Sequence, residues 1–568
     1  MWVDNYNEDV ASSPSGRLKQ LVSFQFTDNT LTITLRRSIL KLFIKSGFQI
    51  APDALDYMLD LENPLEAAES VIHQSNSSVA PPVLSRDHIE GLLSTRTEIP
   101  ESHDIDEGST NVILPENSSP PEETEWSINV VKNPTLESVG SAGTVDDFLA
   151  LFNDRLRRIK RIYMSRIDTQ GAISPQAARN KRDDARHYKA MNREGMRTQK
   201  RLTHTVVGMV KDKRISRSRN VIVQLEDPED SIVCIIPTGR EGVQGRELAD
   251  SGNALLLDEV TCISGHIDRD GRMIAQSVIF PDIPTSREMG RARRDVYAIF
   301  ISDLHYGSNE FLEDEFDSFI NWVNSRDVDS SEKEAVQKIR YLFIAGDLVD
   351  GIGVYPSQYE DLFIPSIYDQ YAGLADKLRK IPKHVKIICI PGNHDACRQA
   401  LPKPPIPEAY AKPLYDLGSQ IMMMGDPSQL IVEGVSILLT HGDSLDDAVT
   451  QLPGATYKRP AIPMKEFLRK RHLVPMYGGR TELAPLHRDW MVIDTPPDIV
   501  HFGHAHHNAV DNYRGVQIIN SGTFQGQTEF MRKQGIIPTP GIVTYVNLRT
   551  GAPEVKFFYK GLIAESTG

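Results

Sequence analysis

The sequence predicts a multidomain protein of mixed α/β class: a small N-terminal helical unit, an OB-type β-barrel, and a C-terminal α/β body with metal ligands along one sheet edge. Three observations predict it. A chain of 568 residues is too long for one ordinary core. Between about 201 and 285 the hydrophobic pattern switches from helical periodicity to short strands. Beyond about 295, five apolar strands each run into a turn that carries Asp, Asn or His.

Composition sets the outer limits. The chain is 40% hydrophobic with no run of about 18 or more uncharged apolar residues, and MWVDNYNEDV lacks the basic-then-apolar order of a signal peptide. The expectation is a soluble, cytoplasmic protein with no membrane partner. No CxxC pair occurs among Cys234, Cys262, Cys389 and Cys397, and the first three lie in apolar runs. Buried thiols in a reducing compartment are expected, rather than a disulfide scaffold or a zinc-thiolate site. A net charge of −14 argues by itself against a nucleic-acid partner. The charge is segregated, however: 151–220 holds 20 Lys+Arg against 6 Asp+Glu, and 71–140 holds 3 against 12.

The elements follow in order. In residues 1–70, TLRRSILKLFIKSG places Leu35, Ile39, Leu40, Leu42 and Phe43 at near-helical spacing and stops on Gly47, and a second helix starts near Pro52. This reads as a small helical protein-interaction domain. Residues 71–140 turn to Ser, Pro, Glu and Asn (SNSSVAPP, PENSSPPEETE) with few aliphatics, which predicts a disordered acidic linker. In the basic helical segment 141–200, Phe148, Leu149, Leu151, Phe152, Leu156 and Ile159 form an apolar stripe, and arginines fill much of the remainder. Those arginines suit a solvated face or a contact with DNA or an acidic protein patch about equally.

Residues 201–290 carry five short strands separated by turn chemistry, Asp227-Pro228-Glu229-Asp230 after one and Asp270-Gly271 after another, as in an OB-type barrel. Such barrels often bind single strands through aromatic stacking. This one has very few aromatics, so a packing role is the better expectation.

From 295 to 568 the strands end in chemistry. VYAIFI runs into Ser302-Asp303-Leu304-His305, IRYLFIA into Gly346-Asp347-Leu348-Val349-Asp350, and VKIICIP into Gly392-Asn393-His394-Asp395. VSILLT and PDIVHF run into His441-Gly442-Asp443 and Gly503-His504-Ala505-His506. The carboxyl edge of an α/β sheet is where sites are built, and the adjacent glycines allow sharp turns close to an ion. Carboxylate, amide oxygen and imidazole together suit divalent Mn, Fe, Zn or Ni rather than calcium.

The ordered series D-x-H, GD-x-x-D, GNHD, H, GH-x-H resembles the calcineurin-like metallophosphoesterase superfamily. The resemblance implies a β-sandwich flanked by helices and a centre of two divalent ions, Mn favoured for activity. One ion would be held by Asp303, His305, Asp347 and His506, the other by Asp347, Asn393, His441 and His504, with Asp347 bridging. Such ions activate a phosphoryl oxygen and an attacking water. His394 would face the substrate as the catalytic residue, oriented by a carboxylate, and assist the leaving oxygen. Asp350 is either a support for the ligands or a surface carboxylate, and His501 and His507 are expected to be structural.

Several families share that centre. Gly351 and Pro391 stand where protein phosphatases usually carry Arg, cyclic-nucleotide phosphodiesterases rarely carry an upstream barrel and basic helix, and double-strand-break repair nucleases begin with the phosphoesterase domain. Domain order, the segment from His441 through Asp446-Asp447 to FLRKRHLVPMYGGR, and the run from Asn520 to Phe530 resemble instead the small-subunit family of archaeal D-family DNA polymerases. That resemblance implies a 3′-to-5′ exonuclease for proofreading. Its partners would be DNA (single-stranded 3′ ends and primer-template), a large catalytic subunit, and other replication proteins reached through the N-terminal unit. The alternatives are a mainly architectural subunit or a repair nuclease of the same superfamily.

Overall fold

The computed structural model describes residues 126–181, 202–326 and 328–559, together with 49–59 and single positions between 39 and 89. The chain divides into two compact units, Met1–Ser119 and Pro120–Gly568.

In the first unit, strand β1 (Gln49–Ile50) leads into the helix Pro52–Leu59 and pairs in parallel with β2 (Val83–Leu84). Ala54, Leu55 and Met58 bury one face of that helix in a core shared with Ile39, Phe43, Val71, Ile72 and Ile89. Leu35 and Leu40 of the expected stripe lie outside the described residues. The core therefore reaches beyond residue 70, into the segment expected to be linker, because its sparse aliphatics (Val71, Ile72, Leu84, Ile89) are the ones buried.

The far end of that expected linker is also structured. Strand β3 (Ile128–Lys132) pairs antiparallel with β13 (Ser428–Val432), and Trp126 Nε1 donates to the carbonyl of His384 at 3.0 Å. Composition concealed this strand, since a ladder of backbone hydrogen bonds at a sheet edge needs little side-chain burial: Val130 and Val131 remain exposed.

Strands β4 (His204–Ile215), β5 (Val221–Glu226), β6 (Ser231–Ile236), β7 (Val260–Ile267) and β8 (Met273–Ile279) form a closed barrel in the order β4-β5-β6-β8-β7. Strict alternation of buried and half-buried positions along β5 and β6 fills its interior with Val, Ile, Leu and Cys234. Asp227 caps its own turn, its Oδ1 accepting from the amides of Glu229 and Asp230 at 3.0 Å. None of the five strands contains Phe, Tyr or Trp.

The helix Val145–Met164 lies between barrel and body and turns its key arginines inward. Arg155 is fully buried: its Nε donates to Asp489 Oδ2 at 2.7 Å, and its Nη1 to the carbonyls of Asp258, beside the barrel, and Pro475, in the body. Arg158 pairs with Asp154 and Asp494. Neither a solvated face nor a DNA contact describes these two residues; they are internal ties. Helical spacing put them on the polar side, but Asp489 and Asp494, more than 330 positions away, decide their environment. Arg157, by contrast, is exposed.

The body is a sandwich of two six-stranded sheets flanked by helices. The first is built from β9 (Tyr297–Ile301), β10 (Ile339–Ala345), β11 (Lys386–Ile390), β12 (Ile421–Met423), β18 (Ile542–Asn547) and β19 (Pro553–Phe557), in the order β12-β11-β10-β9-β18-β19. The second joins β3 and β13 to β14 (Val435–Leu439), β15 (Ile499–Phe502), β16 (Ala509–Tyr513) and β17 (Val516–Asn520), in the order β16-β17-β15-β14-β13-β3. Strands β9, β10 and β11 are parallel, as are β14 and β15. Between the sheets, Phe300, Phe343, Ile388, Ile437, Leu439 and Ile519 meet in one core. Strands β9, β10 and β11 are nearly all buried, as expected of parallel strands covered on both faces. No helix among the described residues is long and apolar enough to cross a membrane.

His472 completes the tie at Asp489. Its Nδ1 accepts from the Val474 amide at 3.1 Å and its Nε2 donates to Asp489 Oδ2 at 2.9 Å, so it is a neutral tautomer. Burial, reinforced by Arg155 and only partly opposed by Asp489, pushes its pKa down to about 4. An unfolded histidine titrates near 6.5. As pH falls from about 6.5 towards 4 the unfolded chain takes up this proton first, so stability should drop by about 1–3 kcal/mol through that window. Denaturant melts at pH 7.5 and 5 should show it, and His472→Gln should flatten that slope.

Candidate metal centre

The parallel register brings the carboxyl ends of β9, β10, β11, β14 and β15 to one edge of the sandwich. The turns there are tied together by backbone bonds: Asp303 N donates to Gly346 O at 3.0 Å, His305 N to Asp347 O at 3.1 Å, and Gly503 N to His441 O at 2.8 Å. Asp303, His305, Asp347, His504 and His506 all have left-handed backbone, with φ between 49° and 65°. Such conformations are uncommon outside glycine and collect at functional sites. Close approach is possible because the neighbouring positions are glycine. A Cβ on Gly392 would stand 2.1 Å from Asp347 Oδ1, and one on Gly503 2.5 Å from Asp303 Oδ2.

Two donor clusters result. Asp303, His305, Asp347 and His506 form the first, all four buried. The Nε2 atoms of His305 and His506 face each other at 3.0 Å, and His506 Nε2 lies 3.3 Å from Asp303 Oδ1. In the second cluster His441 Nε2 is 2.9 Å from Asn393 Oδ1, and His504 Nδ1 is 3.1 Å from that oxygen and 3.3 Å from His441 Nε2. Asp347 Oδ2 sits between the clusters, 3.6 Å from His305 Nε2 and 3.3 Å from His441 Nε2. Ligands at 2.0–2.2 Å from one ion, set roughly at right angles, stand about 3 Å apart, which is the spacing found.

The opposite ring nitrogens orient the lone pairs inward. His305 Nδ1 donates to Asp350 Oδ1 at 3.0 Å, His441 Nδ1 to the Ala345 carbonyl at 2.8 Å, and His504 Nε2 to Asp446 Oδ1 at 2.9 Å. Asp350 is fully buried and also accepts from Gln358 and Gln525, so it supports a ligand rather than lying on the surface. Burial disfavours a charged imidazole, yet the carboxylates of Asp347 and Asp303 outweigh it and push His441 up to about 10. Burial likewise works against ionised Asp347, and His441, His394 and His305 hold it well below the usual carboxylate range. The field of the site favours positive charge, and its donors fit a first-row divalent ion.

His394 lines the same cleft. Its orienting partner is not the expected carboxylate but the Asp350 backbone carbonyl, to which Nδ1 donates at 2.7 Å; the Asp350 carboxylate is 4.0 Å away. The Asp350 carboxylate is already engaged by His305, Gln358 and Gln525, so only its carbonyl faces His394. His501 is buried, bonded to Ser521 Oγ at 2.7 Å, and pushed down to about 3 by burial. His507 is half-buried and held below its usual value by burial.

Several supports carried no sequence signal for their role. Asp395 Oδ2 accepts from the amides of Gly392 and Leu348, joining the β10 and β11 turns. Lys403 is fully buried, its Nζ 2.7 Å from Asp443 Oδ2, and Asp426 Oδ2 accepts from the His441 amide. Asp446 stood in the sequence beside the His441 motif, and its hydrogen bond to His504 appears only in three dimensions.

Two packed sheets whose aligned strand ends gather Asp, Asn and His define an α/β sandwich body with a candidate metal site. Residues 298–510 match the family model that describes the B subunit of DNA polymerases alpha and epsilon. The chain is 35% identical over 535 residues to the DNA polymerase II small subunit of Archaeoglobus fulgidus, covering 92% of this chain and 98% of that one. It is 31% identical to the Halobacterium salinarum protein of the same name over 522 residues, 89% of this chain and 95% of that one. The Methanocaldococcus jannaschii protein of that name is 41% identical over 408 residues, 72% of this chain but only 64% of its own length. The chain belongs to the DNA polymerase II small-subunit family.

Removing the Asp350 carboxylate frees the His305 ring. Asp350→Ala should weaken Mn²⁺ affinity about 10- to 100-fold by titration calorimetry, with the circular dichroism spectrum retained. Gly392→Ala, which displaces Asp347, should cost at least as much.

Proposed function

We propose that the chain is a metal-dependent 3′-to-5′ DNA exonuclease, the proofreading small subunit of a two-subunit archaeal replicative polymerase. The observation that carries this reading is the buried group Asp303, His305, Asp347 and His506, with His441 3.3 Å from Asp347, in a chain whose relatives are named DNA polymerase II small subunits. Asp303, His305, Asp347 and His506 would hold one divalent ion, and Asp347, Asn393, His441 and His504 a second, with Mn²⁺ favoured for activity. Bound ions of this class supply Lewis-acid activation of a phosphoryl oxygen and of water.

The chain's own residues do the rest. Asp350, Asp446 and the Ala345 carbonyl keep the ligand rings aligned, so no reorganisation is needed when charge develops. His394 keeps Nδ1–H on the Asp350 carbonyl and leaves Nε2 for substrate. As a water oxygen bonds to phosphorus and the P–O3′ bond breaks, the protonated ring would give its Nε2 proton to the departing O3′, releasing a 5′-mononucleotide and a strand one residue shorter. Burial lowers the His394 pKa and so makes that ring the stronger acid. DNA and a large polymerising subunit are the proposed partners, and the N-terminal unit is a proposed protein-binding module.

A second reading, a mainly architectural subunit, is favoured by the absence of aromatic side chains from the barrel strands, which removes the usual stacking surface of such a barrel.

Purified chain with Mn²⁺ should shorten a single-stranded 3′ end, and chelation should stop it. His394→Ala and Asp303→Ala should each lower the rate at least 100-fold. Undiminished hydrolysis in both variants would remove the nuclease reading. Unchanged fidelity of the assembled polymerase with these variants, alongside loss of polymerisation when the chain is omitted, would establish the architectural one.

A further inference from the structure

The cleft at the metal centre, about 610 Å³, has a wall that the two donor clusters do not explain. Besides the carboxylates and imidazoles it is lined by Val354, Tyr355, Phe530, Met531 and Ile536. The rings run outward in sequence. His394 is followed by Tyr355, centroids 6.3 Å apart, and Tyr355 by Phe530, centroids 5.6 Å apart and planes 26° from parallel. Phe530 is 46% exposed. The exposed Phe530 ring is thus linked through Tyr355 to the proposed acid.

The wall is built and held. Tyr355 Oη donates to Asp361 Oδ2 at 3.1 Å, and the Val354 amide donates to Gln358 Oε1 at 2.8 Å. At the start of the same loop, Gly351 has φ +77° and exchanges hydrogen bonds with the buried Gln370. A Cβ at Gly351 would stand 2.2 Å from the His394 carbonyl oxygen, so this loop is pressed against the acid's own backbone. Phe530 lies in the first turn of the short helix Glu529–Gln534, whose cap Thr528 Oγ1 accepts from the Met531 amide at 3.2 Å. The cleft therefore combines two chemistries, Asp, Asn and His donors that would hold cations and a stack of aromatic rings.

A nucleotide has parts that match both, a phosphate joined through a sugar to a flat apolar base. The geometry points to Tyr355 and Phe530 as a stacking wall for a base flanking the scissile phosphate, so that the accepted substrate is a 3′ end whose last bases have left the duplex. This rests on the nuclease reading above and specifies its substrate. A base on the wall has given up its neighbours in the helix, which costs least at a mismatched or frayed end. Stacking on an aromatic face is tolerant of base identity, as removal of any mispaired nucleotide requires. The wall acts by positioning, and Tyr355 and Phe530 take no part in proton transfer.

The test uses the full chain with Mn²⁺ and single-stranded oligonucleotides that are normal or carry one abasic site at the last, second-last or fifth-last nucleotide. For the unsubstituted chain, an abasic site at the last or second-last position should lower kcat/KM for the first cleavage about tenfold or more, mainly through KM. An abasic site at the fifth-last position should not. In Phe530→Ala and in Tyr355→Ala the ratio of normal to abasic kcat/KM should collapse towards one, while Tyr355→Phe, which keeps the ring, should retain it. Variants that slow normal and abasic strands equally, leaving the ratio unchanged, would overturn the stacking wall while sparing the nuclease reading. Failure of the unsubstituted chain to cleave any of these strands would overturn both. Which abasic position matters tells whether the base belongs to the released nucleotide or to the one that keeps O3′.

Discussion

Two carboxylates with almost no access to water, Asp303 and Asp347, are the constraint around which the body is arranged. An isolated buried carboxylate is too costly to keep ionised. Here burial is opposed by nearby imidazoles: His506 beside Asp303, and His441, His394 and His305 around Asp347, so both acids stay below the usual range. The imidazoles of His305, His441 and His504 are fixed in turn by a carboxylate or carbonyl at the opposite ring nitrogen. Taken together, these contacts make a site whose ring nitrogens and carboxylate oxygens converge, with Asp347 between the two groups of histidines. The left-handed backbone at five of the donor residues is a local cost that this convergence requires.

The same logic of compensated buried charge joins the barrel to the body. Arg155 reaches Asp489 and the carbonyls of Asp258 and Pro475 from the middle of one helix, and Tyr163 on that helix donates to the Ile279 carbonyl of the barrel at 2.8 Å. Pairing a fully buried guanidinium with a fully buried carboxylate specifies one geometry, since losing either partner leaves a charge stranded. These bonds hold the barrel, with its aromatic-free set of strands, at a defined position against the body. A barrel so held suits docking as well as it suits support.

The site was far more legible in the sequence than its surroundings. Metal donors belong to a few residue types, they cluster at strand ends, and close packing demands glycine beside them, so Asp303, Asp347, Asn393 and His441 stood out from local pattern. Asp350 was visible as a candidate, but its grip on His305 depends on a turn whose path no local rule supplies. His394 lines the cleft, and its orienting partner is a backbone carbonyl where a carboxylate was expected. Tyr355 and Phe530 carried no signal, because a stacked pair 175 positions apart has no periodicity. Strand β3 was hidden by its acidic neighbours, and its stability comes from backbone pairing with β13.

By itself the sequence determined what depends on short-range chemistry: five donor-bearing strand ends, a five-stranded barrel segment read from alternation and turn residues, and an α/β sandwich body. Only the tertiary structure decided whether the arginines of the helix Val145–Met164 face solvent or protein, which carboxylates orient which imidazoles, and which rings line the cleft at the candidate metal site. The physical reason is range. Hydrogen-bonding turns and alternating burial act within a few residues, whereas a buried charge is set by whichever partner the fold brings to it, here from more than 330 positions away.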